Sequence, residues 1–242
     1  MIEIKNITKK YGNFTAVDNL NLNVKKGKIF GFLGPNGAGK TTTIKMMTGL
    51  TTITYGDITI NGLSIKKDVI SYKKQFALIP DKPYIFEKLR GIEYLKFVAN
   101  LYDVKEETFK RLSKKYIDMF DAGSYMNDFI ESYSHGMSQK LLIIASLIHE
   151  PAVLILDEPM IGLDPKSMKV LKEVFKDLAE KGMTVFMSTH SLELAEDVCT
   201  SIGIIDKGKL LTCGAVNVVK KKNKSKKIEE VFFRLTEEKE NG

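Results

Sequence analysis

The stretch Gly34 to Thr41 has the residue types and spacing of a loop that wraps around phosphate groups. It reads Gly-Pro-Asn-Gly-Ala-Gly-Lys-Thr, which fits the pattern G-x-x-x-x-G-K followed by Ser or Thr. Glycines let backbone amides turn inward around anionic oxygens, Lys40 supplies a positive charge to the β- and γ-phosphates, and the Thr41 hydroxyl can reach Mg²⁺. We therefore predict that a nucleoside triphosphate is bound by Gly34, Pro35, Asn36, Gly37, Ala38, Gly39, Lys40, Thr41 and Thr42.

A second set of chemical groups stands at the end of the apolar run Val153 to Leu156, where Asp157 and Glu158 follow directly. Hard cations prefer oxygen ligands, so Asp157 can hold Mg²⁺ through water. Glu158 points to the opposite side of the strand and can act as a general base on an attacking water. Alone, such a pair is also an ordinary end of a strand before a turn. Beside a phosphate-binding loop it predicts phosphoryl-transfer chemistry.

The elements that position these groups are predicted from apolar periodicity. An apolar run at 29–33 precedes the phosphate loop and a helix at 40–50 follows it, so the positive end of that helix faces the phosphates. Alternation at 2–4 and 20–24 predicts antiparallel strands, and Asn61-Gly62 predicts a hairpin turn. Further strands are predicted at 58–60, 76–79, 153–156, 184–187, 202–205 and 210–211.

Between about 82 and 149 the apolar spacing becomes helical, with segments at 92–102, at 108–120 and from near Ser138 to His149. Strand patterns return after this region, and Asp164-Pro165 can cap and open a helix. We predict an α/β fold with a mostly parallel sheet, an antiparallel β subdomain at the N-terminus and an inserted helical subdomain.

The composition excludes several classes of protein. Of the 242 residues, 43% are hydrophobic and 28% are charged, an ordinary globular mixture that excludes disordered, collagen-like and coiled-coil chains. The longest apolar stretch is too short to cross a bilayer, and the first residues lack an apolar secretory core. We expect a cytoplasmic chain in which Cys199 and Cys213 are free thiols.

The net charge is +7, of which 220–242 carry +3, and the densest basic run is 220–227, Lys-Lys-Lys-Asn-Lys-Ser-Lys-Lys. Such a run can bind nucleic acid or anionic lipid, but we expect 220–242 to be a basic, solvated and mobile tail. The only arginines are Arg90, Arg111 and Arg234. Because arginine is the preferred side chain for contacts to bases and phosphodiesters, we expect no nucleic-acid partner.

Taken together, the motifs over about 1–219 resemble the nucleotide-binding subunit of an ATP-binding cassette (ABC) transporter. Gly34 to Thr42 matches the Walker A loop and Leu154 to Glu158 the Walker B strand. The remaining matches are Tyr11 with the aromatic that stacks on adenine, Ser134 to Gln139 with the signature motif, Gly162 to Pro165 with the D-loop, and His190 with the switch histidine.

The resemblance implies roles for these residues, with ATP and Mg²⁺ as cofactors. It implies that Glu158, His190 and Lys40 are catalytic, with His190 holding the γ-phosphate. It also implies a dimer with a second copy or a related subunit, in which the signature motif of one subunit contacts the nucleotide of the other. The residues implied to bind ATP outside the phosphate loop are Tyr11, Ser134, Gly136 and Asp164. Alone, Tyr11 is an ordinary packing tyrosine and Asp164 an ordinary helix cap.

Two departures from the family pattern affect the site. Asp81 stands where the family commonly has glutamine, and an ionised carboxylate can ligate Mg²⁺ but cannot donate a hydrogen bond. We predict a metal site formed by Thr41, Asp157 and Asp81. In the signature motif, His135 replaces the first glycine and Met137 the glutamine. His135 either adds a donor near the γ-phosphate or is simply exposed.

The resemblance implies ATP hydrolysis that drives transport, with the chain peripheral on the inner face of the cell membrane and bound to separate integral permease subunits. Tyr133 to Gln139 and Glu229 to Leu235 are similar to the ABC-2 type branch of exporters. Two alternatives stay open: a soluble cassette ATPase acting in repair, translation or cofactor assembly, and an ATP-sensing module with low turnover, which Asp81 motivates.

Overall fold

A computed structural model describes residues 1–81, 84–160 and 163–237, and its strands form two sheets. The strands are β1 Ile2–Tyr11, β2 Phe14–Val24, β3 Ile29–Leu33, β4 Tyr55–Ile60, β5 Leu63–Ser64, β6 Phe76–Ile79, β7 Val153–Asp157, β8 Thr184–Thr189, β9 Ser201–Asp206 and β10 Lys209–Ala215. The helices are α1 Lys40–Met47, α2 Val69–Lys73, α3 Gly91–Leu101, α4 Glu106–Met119, α5 His135–Leu147, α6 Pro165–Glu180, α7 Leu192–Val198, α8 Val216–Lys222 and α9 Ile228–Glu237.

The smaller sheet is antiparallel and contains the N-terminal strands in the order β2-β1-β4-β5. Ile60 of β4 pairs with Leu63 of β5 across the two-residue turn Asn61-Gly62. Both turn residues have positive φ, 53° and 78°, which is the backbone that a tight hairpin turn with the twist of the flanking strands requires. The predicted antiparallel subdomain and its hairpin are thus confirmed.

The larger sheet has the order β10-β9-β3-β8-β7-β6, with β10 antiparallel to β9 and the other pairs parallel. Strands β3 and β7 are buried along their whole length, as expected for central strands covered on both faces. Because the carboxyl ends of parallel strands meet at one edge, the segments that follow β3, β7 and β8 come together there. This topology positions the phosphate loop beside the acidic pair and the histidine.

Two hydrophobic cores cover the two faces of the larger sheet. Phe30 and Phe32 of β3 face the antiparallel sheet and contact Phe186 of β8, with the Phe30 and Phe186 ring centroids 5.4 Å apart. Ile29 and Leu33, on the opposite face of β3, belong to the core beneath the helices. The predicted fold class is confirmed: a mostly parallel α/β sheet with an antiparallel subdomain beside it.

The inserted helices α3, α4 and α5 lie between β6 and β7 in the chain, as predicted. Helix α5 begins at His135, three residues before the predicted start near Ser138. The reason is the cap, because Ser134 Oγ accepts a hydrogen bond from the Met137 backbone N–H at 3.3 Å. Residues 82 and 83, the start of the predicted insertion, lie outside the described residues.

The expectation of a mobile tail from 220 onward was wrong for residues 220–237. Helix α9 packs on α7 and α8, α8 packs on β10, and Ile228 and Val231 are fully buried. The Glu196 carboxylate of α7 accepts from Lys220 Nζ at 2.7 Å and from the Ile228 backbone N–H at 3.2 Å. Apolar residues at helical spacing therefore hold this segment while its lysines face outward. Residues 238–242 of the predicted tail are not described.

Cys199 is buried, Cys213 is exposed, and both are free thiols, as expected. Within the described ranges, none of the helices combines the length and the apolar character that a membrane span needs.

Candidate functional site

A cavity of about 380 Å³ opens at the carboxyl edge of the parallel sheet. It is formed where the loop between β3 and α1 meets the ends of β6 and β7. The lining residues are Phe14, Ala16, Asn36, Gly37, Ala38, Gly39, Lys40, Thr41, Thr42, Asp81, Asp157 and Glu158. The structure thus brings most of the predicted phosphate loop together with the carboxylates of Asp81, Asp157 and Glu158.

The loop requires glycine at its two ends because of close backbone contacts. A Cβ atom at Gly34 would lie 2.4 Å from the Ile205 carbonyl oxygen. At Gly39, which has φ of 106°, a Cβ atom would lie 2.8 Å from the Ala16 carbonyl oxygen. Helix α1 begins at the next residue, Lys40, so its free N-terminal amides and positive end face the cavity.

Lys40 is buried and folds back over the loop. Its Nζ donates to the carbonyl oxygens of Gly34 at 2.7 Å and Pro35 at 3.1 Å. Burial lowers the pKa of Lys40, and the charges of Glu158 and Asp157 offset part of this effect. Gly34 and Pro35 do not line the cavity themselves; their carbonyl oxygens hold the Lys40 side chain beside it.

The oxygen donors at the cavity fit a magnesium ion. Asp157 is buried at the end of β7 and accepts a hydrogen bond from Ser188 Oγ on β8, and Thr41 and Asp81 line the same space. In the described part of the chain, no three acidic, histidine or cysteine side chains are close enough to cage a metal by themselves. Mg²⁺ is usually held by one or two carboxylates, waters and substrate phosphates, so this donor set suits it.

Glu158 and His190 are in direct contact at the rim of the cavity. Glu158 Oε1 lies 2.9 Å from His190 Nδ1, with the carboxylate largely shielded and the imidazole 63% exposed. The backbone of Glu158 has φ of 53°, a left-handed conformation that costs a non-glycine residue about 1 kcal/mol. The strained turn after β7 and the end of β8 thus bring a carboxylate and an imidazole together beside the phosphate loop.

The aromatic ring that lines the cavity is Phe14, which the sequence analysis missed. It is 65% exposed and pairs across the first hairpin with Tyr11. Tyr11 lines no part of the cavity, and its ring lies under Lys9 Nζ at 4.8 Å. The signal that could have found Phe14 is its place in the same hairpin as Tyr11, on the strand that leads to Ala16.

The signature and D-loop residues lie apart from this cavity. Ser134 caps α5, and Gly136 lies in the first turn of that helix. Asp164 caps α6, accepting from the Ser167 N–H at 2.9 Å and the Ser167 hydroxyl at 2.6 Å, and these hydrogen bonds lower its pKa. Gly162, also assigned to the D-loop, lies outside the described residues.

Comparison with known proteins gives the family. The family model described as ABC transporter matches residues 17–161. The linearmycin resistance ATP-binding protein LnrL of Bacillus subtilis is 37% identical over 88% of this chain and 69% of its own length. A solved ATP-binding subunit of an ABC transporter superposes with a TM-score of 0.93, at 30% identity, over 97% of this chain and 99% of that one.

A dimeric bacterial ABC transporter cassette, MJ0796, superposes with a TM-score of 0.81 at 23% identity, over 89% of this chain and 99% of that one, which shows a shared fold. The chain belongs to the ABC transporter family. It is an ATP-binding subunit of that family, an ATPase that powers transport. The resemblance drawn from its motifs is confirmed.

Proposed function

We propose that this chain binds Mg²⁺ and ATP between two cassettes and that hydrolysis powers export of an unidentified substrate through separate membrane-spanning permease subunits. The observation that supports it best is the Glu158–His190 contact beside the phosphate loop. In this proposal the cassette spans about 1–219, with the helical subdomain at about 82–149 inserted.

The phosphate loop and Lys40 bind the triphosphate. Backbone amides of the loop and the N-terminus of α1 donate to phosphate oxygens. Lys40 exchanges the Gly34 and Pro35 carbonyls for the β- and γ-phosphates, so its charge is already in place when nucleotide enters. Thr41, Asp157 and Asp81 would hold Mg²⁺, which would offset phosphate charge and leave the γ-phosphate open to attack.

Glu158 acts as general base. It takes a proton from the water that attacks the γ-phosphorus, while the bond to the β-phosphate oxygen breaks. His190 Nδ1 donates to the Glu158 carboxylate and orients it, and Nε2 is left to donate to the γ-phosphate. Both partners are acceptors, so each ring nitrogen must present an N–H for the two contacts to form together.

The functional unit is a dimer. Ser134, Gly136 and Asp164 line no part of the chain's own cavity, although the resemblance gives them contacts to nucleotide. Ser134 caps a helix of thirteen residues, whose N-terminus is suited to an anion from a partner subunit. The dimeric cassette of the same fold supports this arrangement. We expect slow hydrolysis by the monomer.

The helical insertion is the surface for the permease. Side chains at its start and on α3 are apolar and exposed: Tyr84, Phe86, Phe97 and Leu101. Exposed apolar groups gathered in one region are typical of a protein interface. Bound in this way, the chain lies on the inner face of the cell membrane. Export, as in the ABC-2 type branch, is supported by the similarity to a linearmycin resistance ATP-binding protein.

The test uses Glu158→Gln, with the exposed Glu173→Gln on α6 as matched control. We expect Glu158→Gln to bind ATP, to lose hydrolysis and to accumulate as an ATP-bound dimer, measured by phosphate release and light scattering. Glu173→Gln should match the parent, and Lys40→Ala should lose nucleotide binding. A Glu158→Gln variant that hydrolyses at the parent rate, or stays monomeric at saturating ATP, contradicts the proposal.

Measurements with the membrane partner separate the alternatives. Co-purification with an integral membrane protein supports the transport role, and its failure from membranes that contain the chain favours a soluble cassette ATPase. Turnover of the complex no greater than that of its Glu158→Gln form favours an ATP sensor.

A further inference from the structure

Gln139 connects the helix of the signature motif to the backbone beside Glu158. It lies on α5 and is 5% exposed. Its Nε2 donates to the carbonyl oxygen of Pro159 at 3.4 Å, a long bond but one removed from water. Pro159 follows Glu158 directly, so this contact is made one residue from the carboxylate.

The backbone at Glu158 needs such support. Its φ of 53° is unfavourable for a non-glycine residue, and a residue that precedes proline is further restricted toward extended conformations. Strained positions persist where surrounding contacts hold them. The Glu158 N–H donates to the Ser188 carbonyl at 3.2 Å, which fixes one side of the peptide turn. Gln139 fixes the other side through Pro159.

A second contact joins the same turn of α5 to the start of α6, a few residues after Pro159. Lys140 Nζ lies 3.9 Å from Asp164 Oδ2, at the cap of α6, and the lysine side chain is largely shielded. Neighbouring residues of α5 thus contact the segment 158–164 at both ends, while the start of the same helix carries Ser134.

We propose that Gln139 is a positioning residue for Glu158. By holding the Pro159 carbonyl, it keeps the Glu158 carboxylate against His190 and at the cavity. Because Gln139 and Ser134 share one helix, the end that faces the partner's nucleotide and the chain's own general base move as a unit. This inference rests on the proposed function for the role of Glu158, but its structural part concerns the nucleotide-free chain.

The variants Gln139→Met and Gln139→Glu both remove the N–H donor at similar side-chain length. The control is Gln75→Met. Gln75 is the only other glutamine of the chain, and its Nε2 makes a similar bond, to the Ser71 carbonyl at 3.3 Å, outside the site. Loss of a side-chain hydrogen bond alone would affect thermal stability at both glutamine sites; Gln75 is half-buried and its Oε1 also accepts from Asn61 Nδ2 at 2.9 Å, so its variant loses two bonds.

The decisive readout is the imidazole signal of His190 in NMR spectra of the nucleotide-free chain. The chain has three histidines, so the signals are assigned by single substitutions, and His149, two residues after the end of α5, serves as internal reference. We expect both Gln139 variants to shift the His190 signal and leave that of His149 in place. Gln75→Met should leave the His190 signal in place.

In steady-state kinetics with permease or at dimer-forming concentrations, both Gln139 variants should lower kcat about tenfold to a hundredfold, with KM for ATP within about twofold. An unchanged His190 signal, or a parental kcat, overturns the proposal. A loss confined to KM or to thermal stability also overturns it. A parent chain that shows no ATPase contradicts the proposed function instead, and the His190 signal still decides whether Gln139 positions Glu158.

Discussion

Histidine 149 gives a stability prediction whose sign and size follow from its surroundings. Its ring stacks on Tyr102, with centroids 3.7 Å apart and planes at 11°, and within the described residues its two nitrogens are shielded without a hydrogen-bond partner. Burial lowers the pKa of His149 to about 4, and the Phe76 backbone offsets part of that effect. The folded chain therefore keeps this imidazole neutral at pH values where the unfolded chain protonates it.

The sign follows from proton binding. Between about pH 6.5 and 4 the unfolded state binds more protons at His149, so stability falls as the pH falls through that window. For a folded pKa of about 4 and an ordinary value of 6.5, the loss between pH 7 and pH 5 is about 2 kcal/mol. Above pH 7 the contribution of His149 is flat.

The assay is urea unfolding of the parent and of His149→Phe at pH 7 and pH 5. Phenylalanine keeps a ring against Tyr102 but does not titrate, so subtracting the two pH dependences removes the effect of carboxylates common to both. We expect the parent to lose about 2 kcal/mol more than the variant. Parallel pH profiles would refute the assignment of a buried, neutral His149.

Three further predictions concern the loop, the C-terminal helix and the metal. Gly34→Ala should weaken ATP binding at least about tenfold, because a Cβ there meets a backbone oxygen at 2.4 Å. Gly37→Ala has open space around its Cβ and faces only the strain of φ at 80°, so it should change binding by about fivefold at most; a fluorescent ATP analogue measures both. Val231→Ala should lower the free energy of unfolding by about 2 kcal/mol, because Val231 is fully buried. Phe233→Ala, at an exposed position, should lower it by less than about 0.5 kcal/mol. Urea unfolding measures both, and equal effects would mean that α9 is undocked. Asp81→Gln should raise the Mg²⁺ concentration for half-maximal ATPase about tenfold, and an unchanged value would exclude Asp81 as a ligand.

Local sequence was sufficient to predict the phosphate loop, the hairpin turn and the buried strands. The phosphate loop was predictable because positive φ and close backbone contacts leave glycine as the residue that fits. The hairpin turn at Asn61-Gly62 was predictable because both of its residues need positive φ. The buried strands were predictable because a strand covered on both faces reads as an unbroken apolar run. In each case the physical cause acts within a few residues of the chain.

The parts that escaped prediction depend on contacts between distant residues. Phe14 lines the cavity because the first hairpin folds over the phosphate loop, which the sequence spacing does not indicate. The docking of α9 was hidden by the lysine run, since charge dominates the composition there while Ile228 and Val231 bury the opposite face. The early start of α5 is a local exception, because it depends on the cap that Ser134 forms with the Met137 N–H three residues later.

The proposed role of Glu158 as general base requires more than its motif, because the backbone that presents the carboxylate must also be held in place. Its own sequence opposes its backbone conformation, because a left-handed residue before proline is disfavoured twice. The conformation therefore has to be maintained by tertiary contacts: the Ser188 carbonyl on β8 at 3.2 Å, His190 after β8 at 2.9 Å, and Gln139 on α5 through Pro159. The contacts come from two places in the chain. The resemblance relates His190, after β8, to the γ-phosphate, and it relates the N-terminus of α5 to the partner's nucleotide. A shift of either β8 or α5 would therefore alter the support of the Glu158 carboxylate, so in the proposed mechanism the orientation of the base depends on both elements at once.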